Sequence, residues 1–316
     1  MKKVGDETAN NYYFRRLVRS EVLSLEEYSA GPAPSSEDAV RISANENGFG
    51  PAPAVRDAVL NYLGGKSELY RYPDSSCSAL RDELSVKHGL PPEWFFVGNG
   101  LDDVISTIGM TFLSPGDEVV MPALSFVMYE SAARLPGANP VMIPMKPDMS
   151  IDVAAMASSV TSTTKMLILC SPNNPTGTIV RTGEFVNLLD ALSQMPAQPL
   201  LVIDQAYADF VDPDEDYPNV ISRIENYNNV MVLRTFSKMS ALAGLRIGYA
   251  VAHPSLLSYM YRVRLPYTVN SLAQTAALAD LREESAAEHR LAAKKRIGAN
   301  REKLEKFFEQ EGISFV

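Results

Sequence analysis

Two short runs, Met166-Leu-Ile-Leu-Cys170 and Leu200-Leu-Val-Ile203, are apolar at every position. A strand with one wet face alternates polar and apolar residues, so these runs must be buried on both faces, as in a mainly parallel sheet covered by helices. Similar short β-rich runs lie at Trp94–Val97, Glu118–Met121, Val141–Ile143, Val230–Leu233 and Ile247–Val251, and helical patterns fill most of the gaps between them. The alternation predicts an α/β fold with a mainly parallel central sheet sandwiched by helices. From Pro254 onward the pattern is almost wholly helical, and the charged run Arg282–Glu311 fits a solvated helix surface. Ahead of the sheet, Tyr12, Tyr13, Leu17, Val18, Val22, Leu23 and Leu25 recur at helical spacing, which predicts a helical arm between Asn11 and Tyr28. Ser29–Asp38, dense in turn formers, is the linker that follows it.

Composition closes off several functions. The 316 residues carry 29 basic and 38 acidic side chains for a net charge of −9, and the longest basic clusters are Arg15-Arg16 and Lys294-Lys295-Arg296. A phosphate-backbone binder needs the opposite balance, so nucleic acid is not an expected partner. No apolar stretch approaches the roughly 20 residues of a membrane span, and the start Met1-Lys2-Lys3 runs into acids instead of a signal core. The two cysteines, Cys77 and Cys170, stand far apart without a Cys/His array. They suggest neither a disulfide framework nor a metal site, and a cytoplasmic protein with buried thiols is expected.

In an open α/β sheet, ligands bind beyond the carboxyl ends of the strands. After Phe95-Phe-Val97 comes Gly98-Asn-Gly100, a glycine turn opening a helix whose free N–H groups form an anion site. It lacks the third glycine of a dinucleotide fingerprint and the Gly-Lys-Ser/Thr of a P-loop, so neither nicotinamide nor nucleoside triphosphate chemistry is supported. After Cys170 comes Ser171-Pro-Asn-Asn-Pro-Thr-Gly177, and after Ile203 comes Asp204-Gln-Ala-Tyr207. An acid at the end of a buried strand requires a cationic or hydrogen-bonding partner. After Leu233 comes Arg234-Thr-Phe-Ser-Lys238, with Arg246 eight residues on. Alone, such a lysine is more often a surface ion-pair residue. At the mouth of a sheet it is also where a desolvated amine can form an imine. Pyridoxal phosphate (PLP) uses all of these groups together: an amine for its aldehyde, an acid at its ring nitrogen, donors at its 3-oxygen and a phosphate clamp.

The chain resembles the fold-type I PLP-dependent enzymes of aminotransferase class I/II and, among them, the histidinol-phosphate aminotransferases. The resemblance covers roughly Tyr28 to Val316 and is carried by Asn45-Glu-Asn47, Tyr70-Arg-Tyr-Pro-Asp74, Gly98-Asn-Gly100, Ser171–Gly177, Asp204–Tyr207, Ser237-Lys238, Ala243–Tyr249 and Pro266–Gln274. It implies that Lys238 is the Schiff-base lysine and the acid/base for the substrate α-carbon. It implies that Asp204 pairs with the pyridinium nitrogen and that Asn174 and Tyr207 bond the 3-oxygen. Phe126 matches the aromatic that stacks on the ring, with a core phenylalanine as the lesser alternative. The phosphate would be held by the N–H groups of Leu101 and Asp102, the hydroxyls of Thr235 and Ser237, and Arg246. Tyr72 matches a tyrosine that reaches this phosphate from the neighbouring subunit, which implies a homodimer with shared active sites. Tyr28 and Asn45 match residues near the substrate.

The implied domains are an N-terminal arm and linker (1–40), a large PLP-binding α/β domain (41–255, with 41–70 near the substrate entrance), and an interdomain helix with the start of a small domain (256–316). Gly312-Ile-Ser-Phe-Val316 looks like the first residues of another strand, so that small domain reads as truncated. The family's arginines for the substrate carboxylate and for the phosphate of histidinol phosphate lie beyond this segment. Two departures, Gly48 where the family has Pro and Gln205 where it has Glu, touch no essential role. The expected activity is ping-pong transamination of histidinol phosphate or a related amine with 2-oxoglutarate/glutamate. A decarboxylase, lyase or oxidase of the same fold, or a non-catalytic PLP-binding protein, remains open on the residues alone.

Overall fold

The computed structural model describes residues 15–25, 27, 36, 42–65 and 69–315. Helix α1 (Pro53–Gly64) starts with proline at its first turn, where the missing N–H costs nothing, and α2 (Ser78–His88) ends on Gly89 in the left-handed region. Then come β1 (Phe95–Gly98), α3 (Leu101–Phe112), β2 (Glu118–Pro122), α4 (Met128–Arg134), β3 (Asn139–Ile143), α5 (Val153–Ser158), β4 (Thr164–Cys170), α6 (Thr182–Ser193), β5 (Leu200–Asp204), β6 (Val230–Thr235) and β7 (Gly248–Ala252). Three helices, α7 (Pro254–Val263), α8 (Ser271–Arg282) and α9 (Glu284–Glu311), complete the described chain. Among the described residues no helix is long and apolar enough to cross a membrane.

The seven strands form one sheet in the order β1-β7-β6-β5-β4-β2-β3. Every pairing is parallel except the two made by β7, with β1 and with β6. The fold class is therefore as expected, and each of the seven expected strands is present. Side chains alternate between two cores, as a two-residue period requires. Val97, Leu167, Leu169, Leu201, Ile203, Val230 and Val232 face a core shared with Leu80 and Leu84 of α2, Phe185 and Leu188 of α6, and Ala273 and Ala276 of α8. Phe96, Met166, Ile168, Val202, Met231 and Leu233 face a second core with Val104, Ile105 and Ile108 of α3, Tyr129 and Ala132 of α4, and Leu257 of α7. The α3 residues recur at helical spacing, so one apolar stripe meets the sheet.

Neighbouring strands β2 and β4 send their chains in opposite directions, β2 outward to β3 and β4 inward to β5. This is the topological switch point at which such sheets bind ligands. Because only β7 is reversed, the amino end of β7 joins the carboxyl ends of β1, β2, β4, β5 and β6 along one sheet edge.

Three expectations need correction. Of the helical arm, the described residues show helix at Arg15 and over Ser20–Leu23, with turn and bend between them; residues 11–14, 26 and 28 lie outside the described set, as does nearly all of the linker. Trp94 belongs to a 3-10 turn, Pro92–Trp94, and not to the first strand, because the two prolines before it fix a turn geometry. The apolar tail is not a strand over its described residues. Gly312 takes φ +67° as the cap of α9, the Ile313 N–H donates to the Phe308 carbonyl at 2.8 Å, and Phe315 turns back onto Phe308 with ring centroids 5.6 Å apart. That is the apolar contact of a left-handed helix stop.

Candidate active site

Asp204 is the last residue of β5, and alternation along that strand turns its side chain toward the face covered by α3 and α4. It is 3% exposed. Tyr129 of α4 donates its hydroxyl to Asp204 Oδ2 at 2.7 Å, and the Ala206 N–H donates to Oδ1 at 2.9 Å. Burial raises the Asp204 pKa above the usual carboxylate range, and these two donors oppose the rise. Burial likewise holds the Tyr129 phenol well above its ordinary pKa, so it remains a donor.

One strand over, the loop after β6 carries Lys238. Its Nζ donates to the carbonyls of Ala44 at 3.0 Å and Asn45 at 3.3 Å, and stands 5.4 Å from the Tyr207 ring centroid. Burial lowers the Lys238 pKa; Glu46 counters this, and Arg246 adds to it by like charge. The segment that supplies these carbonyls is bound to the same loops. Asn45, at φ +50°, donates from Nδ2 to the Tyr207 hydroxyl at 3.0 Å, and Asn47 Nδ2 donates to the Met239 carbonyl at 3.0 Å. Burial raises the Tyr207 pKa.

The third part is an anion cradle at the start of α3. Gly100, the residue before that helix, has φ +81° and supplies no capping side chain, so the first N–H groups have no side-chain acceptor there. A Cβ on Gly100 would lie 2.5 Å from Arg246 Nη2. The glycine therefore makes room for the guanidinium, which pairs with Asp102 Oδ2 at 3.1 Å and donates to the Ala243 carbonyl at 3.1 Å. Thr235 Oγ1 accepts from the Ser237 N–H at 3.0 Å and donates to the Ile247 carbonyl at 3.3 Å, which stiffens the turn leading to Lys238. Leu101 and Ser237 are buried.

Beyond β4, Asn174 is half-buried, whereas its neighbour Asn173 is buried and braces the loop. Asn173 Nδ2 donates to the Leu124 carbonyl at 3.0 Å and to Thr176 at 2.9 Å, and Oδ1 accepts from Ser125 at 2.8 Å. Phe126 packs edge-on against Tyr129, with ring centroids 5.7 Å apart. Asn45, Asn174 and Tyr207 line an open cavity of ≈ 840 Å³ that reaches to Lys146, Arg181 and Arg301. Tyr72 stands apart from this group: it is 79% exposed and stacked on Tyr267 at 4.5 Å. Tyr28 lies outside the described residues.

Sequence reasoning missed Tyr129 and the Ala44 carbonyl. Tyr129 was within reach, since it follows Phe126 by three residues, one helical turn, on the segment after β2. No side-chain signal could have pointed to a backbone carbonyl. The donor set fits PLP on its own chemistry: an amine held toward neutrality, a buried acid, a phenol with an amide beside it, and an uncapped helix start at a glycine that leaves room for an arginine.

The family model for aminotransferase class I and II matches residues 37–316. The chain belongs to the class I and II aminotransferases. As a PLP-dependent aminotransferase it has relatives of more than one substrate name. It is 37% identical over 276 residues to a histidinol-phosphate aminotransferase of Moorella thermoacetica, covering 84% of this chain and 69% of that one. It is also 37% identical over 269 residues to an aromatic amino acid aminotransferase of Streptomyces avermitilis, covering 84% of this chain and 73% of the other. Among solved structures, histidinol-phosphate aminotransferase from Sinorhizobium meliloti in complex with pyridoxal-5'-phosphate superposes on this aminotransferase with a TM-score of 0.82 at 26% identity, covering 93% of this chain and 78% of that one.

Proposed function

We propose that this aminotransferase takes histidinol phosphate as its amino donor and exchanges the amino group with the 2-oxoglutarate/glutamate pair. The observation that carries the site assignment is one juxtaposition: a half-buried amine, Lys238, beyond β6, beside a fully enclosed acid, Asp204, at the end of β5. Histidinol-phosphate aminotransferases recur among the relatives, which supports this donor. Aromatic amino acid aminotransferases at the same 37% identity favour a second reading, an aromatic amino acid as donor.

Bound PLP supplies an aldehyde for amine exchange and a ring that accepts the electrons of the α-carbon. Lys238 would be the amine that holds this group, and its Nζ, when free and neutral, would take up and return a proton at the substrate carbon. Burial and Arg246 favour the neutral amine that this requires. Asp204, held by Tyr129 and the Ala206 N–H, would be the acid that pairs with the ring nitrogen and favours its protonated form. Tyr207 and Asn174 would hydrogen-bond the 3-oxygen, and Phe126 would be the aromatic that packs on the ring. Leu101 and Asp102 offer N–H groups to the phosphate, with Thr235, Ser237 and Arg246 as side-chain donors; a guanidinium suits a phosphate through its two parallel N–H groups. Asn45 would serve the substrate side, as would Tyr28, which is outside the described residues. Residues 41–255 form the cofactor-holding domain and 256–316 the interdomain helices and small-domain segment.

The active unit is a homodimer in which Tyr72 reaches the phosphate of the neighbouring subunit. Its support is the exposure of Tyr70, Tyr72 and Leu265, at 80%, 79% and 70%, with Tyr72 stacked on Tyr267. The compartment is the cytoplasm, where the buried free thiols Cys77 and Cys170 stay reduced, and neither membrane nor nucleic acid is a partner. A product assay tests the reaction: histidinol phosphate, phenylalanine and tyrosine are each supplied with 2-oxoglutarate. Glutamate formed fastest from histidinol phosphate supports the proposal. Faster formation from the aromatic amino acids moves the assignment to the second reading, and carbon dioxide or ammonia release without 2-oxoglutarate overturns both.

A further inference from the structure

The loop that carries Lys238 is tied to α8 by a buried side-chain bond. Ser240, two residues beyond the lysine, donates its hydroxyl to Asp280 Oδ2 at 2.7 Å, and both residues are buried. Asp280 belongs to α8, and its other oxygen, Oδ1, accepts from Arg290 Nη1 of α9 at 2.6 Å. The same nitrogen donates to the Asp280 carbonyl at 2.6 Å, so one guanidinium closes the α8–α9 corner and neutralises the acid. A buried carboxylate costs heavily unless it is paired and fully bonded. Arg290 supplies the pairing, and the Ser240 hydroxyl supplies a charge-assisted bond that also fixes where the loop lies.

The loop needs a fixed point. Ala241 adopts φ +55°, a left-handed conformation that a residue with a Cβ takes only when its surroundings impose it. Within the loop, the Ala241 N–H donates to the Lys238 carbonyl at 3.1 Å and the Leu242 N–H to the Phe236 carbonyl at 3.0 Å. These two bonds set the shape of the turn. Neither sets its position relative to α8, which the Ser240 bond does.

We propose that Asp280, acting through Ser240, is a positioning residue for Lys238: the Ser240–Asp280–Arg290 chain holds the lysine loop so that Nζ meets the cofactor in one geometry. The inference rests on the reading of Lys238 as the amine that binds PLP. Asp280 touches no reacting atom. Its effect passes through the backbone of residues 238–240, and Ser240→Ala removes it without disturbing the Asp280–Arg290 pair that staples α8 to α9.

A loosened loop changes two observables that do not depend on knowing the substrate. Attack of Nζ on the PLP aldehyde slows, because fewer approaches are aligned. The proton affinity of the nitrogen that joins Lys238 to the cofactor also changes, because its alignment with the 3-oxygen and with Tyr207 is no longer held. The test compares the full chain with Ser240→Ala, Ser240→Thr and Lys238→Ala. For each, the rate at which the visible band appears on mixing with saturating PLP is measured, together with the pH midpoint of that band and the melting temperature. Ser240→Ala is expected to slow band formation about tenfold and to move the midpoint on the order of half a unit, with Ser240→Thr restoring both because threonine keeps the hydroxyl. A Ser240→Ala protein that melts lower but keeps its rate and midpoint overturns the proposal and leaves the bond a purely structural staple. An unchanged band in Lys238→Ala is a distinct failure: it removes the reading of the lysine, and the positioning role with it.

Discussion

Tyr129 reaches across from α4 to donate its hydroxyl to Asp204 at 2.7 Å, and the carboxylate so held is 3% exposed. The bond decides what that acid can do. Without a donor, a carboxyl in this position gains protons as burial raises its pKa. With Tyr129 on one oxygen and the Ala206 N–H on the other, the charged form is favoured and its direction is fixed.

Tyr129→Phe leaves the ring in the core and removes only the donor. Leaving one Asp204 oxygen without a partner is expected to lower unfolding free energy by about 1–3 kcal/mol, measured by denaturant unfolding. It is also expected to weaken PLP binding, because a more easily protonated Asp204 is a poorer partner for a ring N–H. Unchanged PLP affinity in Tyr129→Phe would remove Tyr129 from the cofactor site.

Gly109 of α3 and Gly298 of α9 are expected to respond in opposite directions to alanine. A Cβ at Gly109 would lie 2.4 Å from the Ala132 backbone carbonyl of α4, whereas nothing lies within 4 Å of one at Gly298. Alanine is worth up to about 1 kcal/mol over glycine in a helix, and a forced backbone shift costs about 1–3 kcal/mol, so the clash outweighs the propensity. Gly109→Ala should melt lower than the parent protein and Gly298→Ala should melt higher, as calorimetry on the pair would show.

Histidine sets a pH dependence. His88, whose Nε2 lies 2.9 Å from the Tyr249 hydroxyl, is pushed down to about 3, chiefly by burial and then by Lys87. Its folded pKa lies below its unfolded one, so the unfolded chain takes the proton first as pH falls. The stability it contributes is complete above the unfolded value of 6.5 and is lost as pH falls from there toward about 3. Between neutral pH and about pH 5 the loss is about 2 kcal/mol at most. Unfolding curves at the two pH values should diverge for the parent and much less for His88→Gln; equal divergence in both would place the pH dependence elsewhere.

The sheet was legible because of its chemistry. Runs such as Met166–Cys170 leave no polar face and so call for cover on both sides, and an acid directly after such a run, as Asp204 follows Ile203, calls for a buried partner. Strand ends were legible too, since Gly98, Ser171, Asp204 and Arg234 each break an apolar run. What stayed hidden were pairings across long stretches of chain. Tyr129 and Asp204 are 75 residues apart, Ser240 and Asp280 are 40 apart, and neither pair leaves a local pattern. The tail Ile313–Phe315 misled because three residues with two apolar ones suit a strand and a helix stop equally, and the Phe308 contact chose between them. Tyr72 was marked by its motif, but the surface that leaves it exposed on Tyr267 is a property of the fold.

The role of Lys238 is tested most directly by peptide mass spectrometry after borohydride reduction of the PLP-loaded protein. Reduction makes the bond between lysine and cofactor permanent. The added mass is expected on the peptide that contains Lys238 and to vanish from it in Lys238→Ala. Label on another lysine, such as Lys87 or Lys146, or equal labelling of the Lys238→Ala protein, would contradict the assignment of this site.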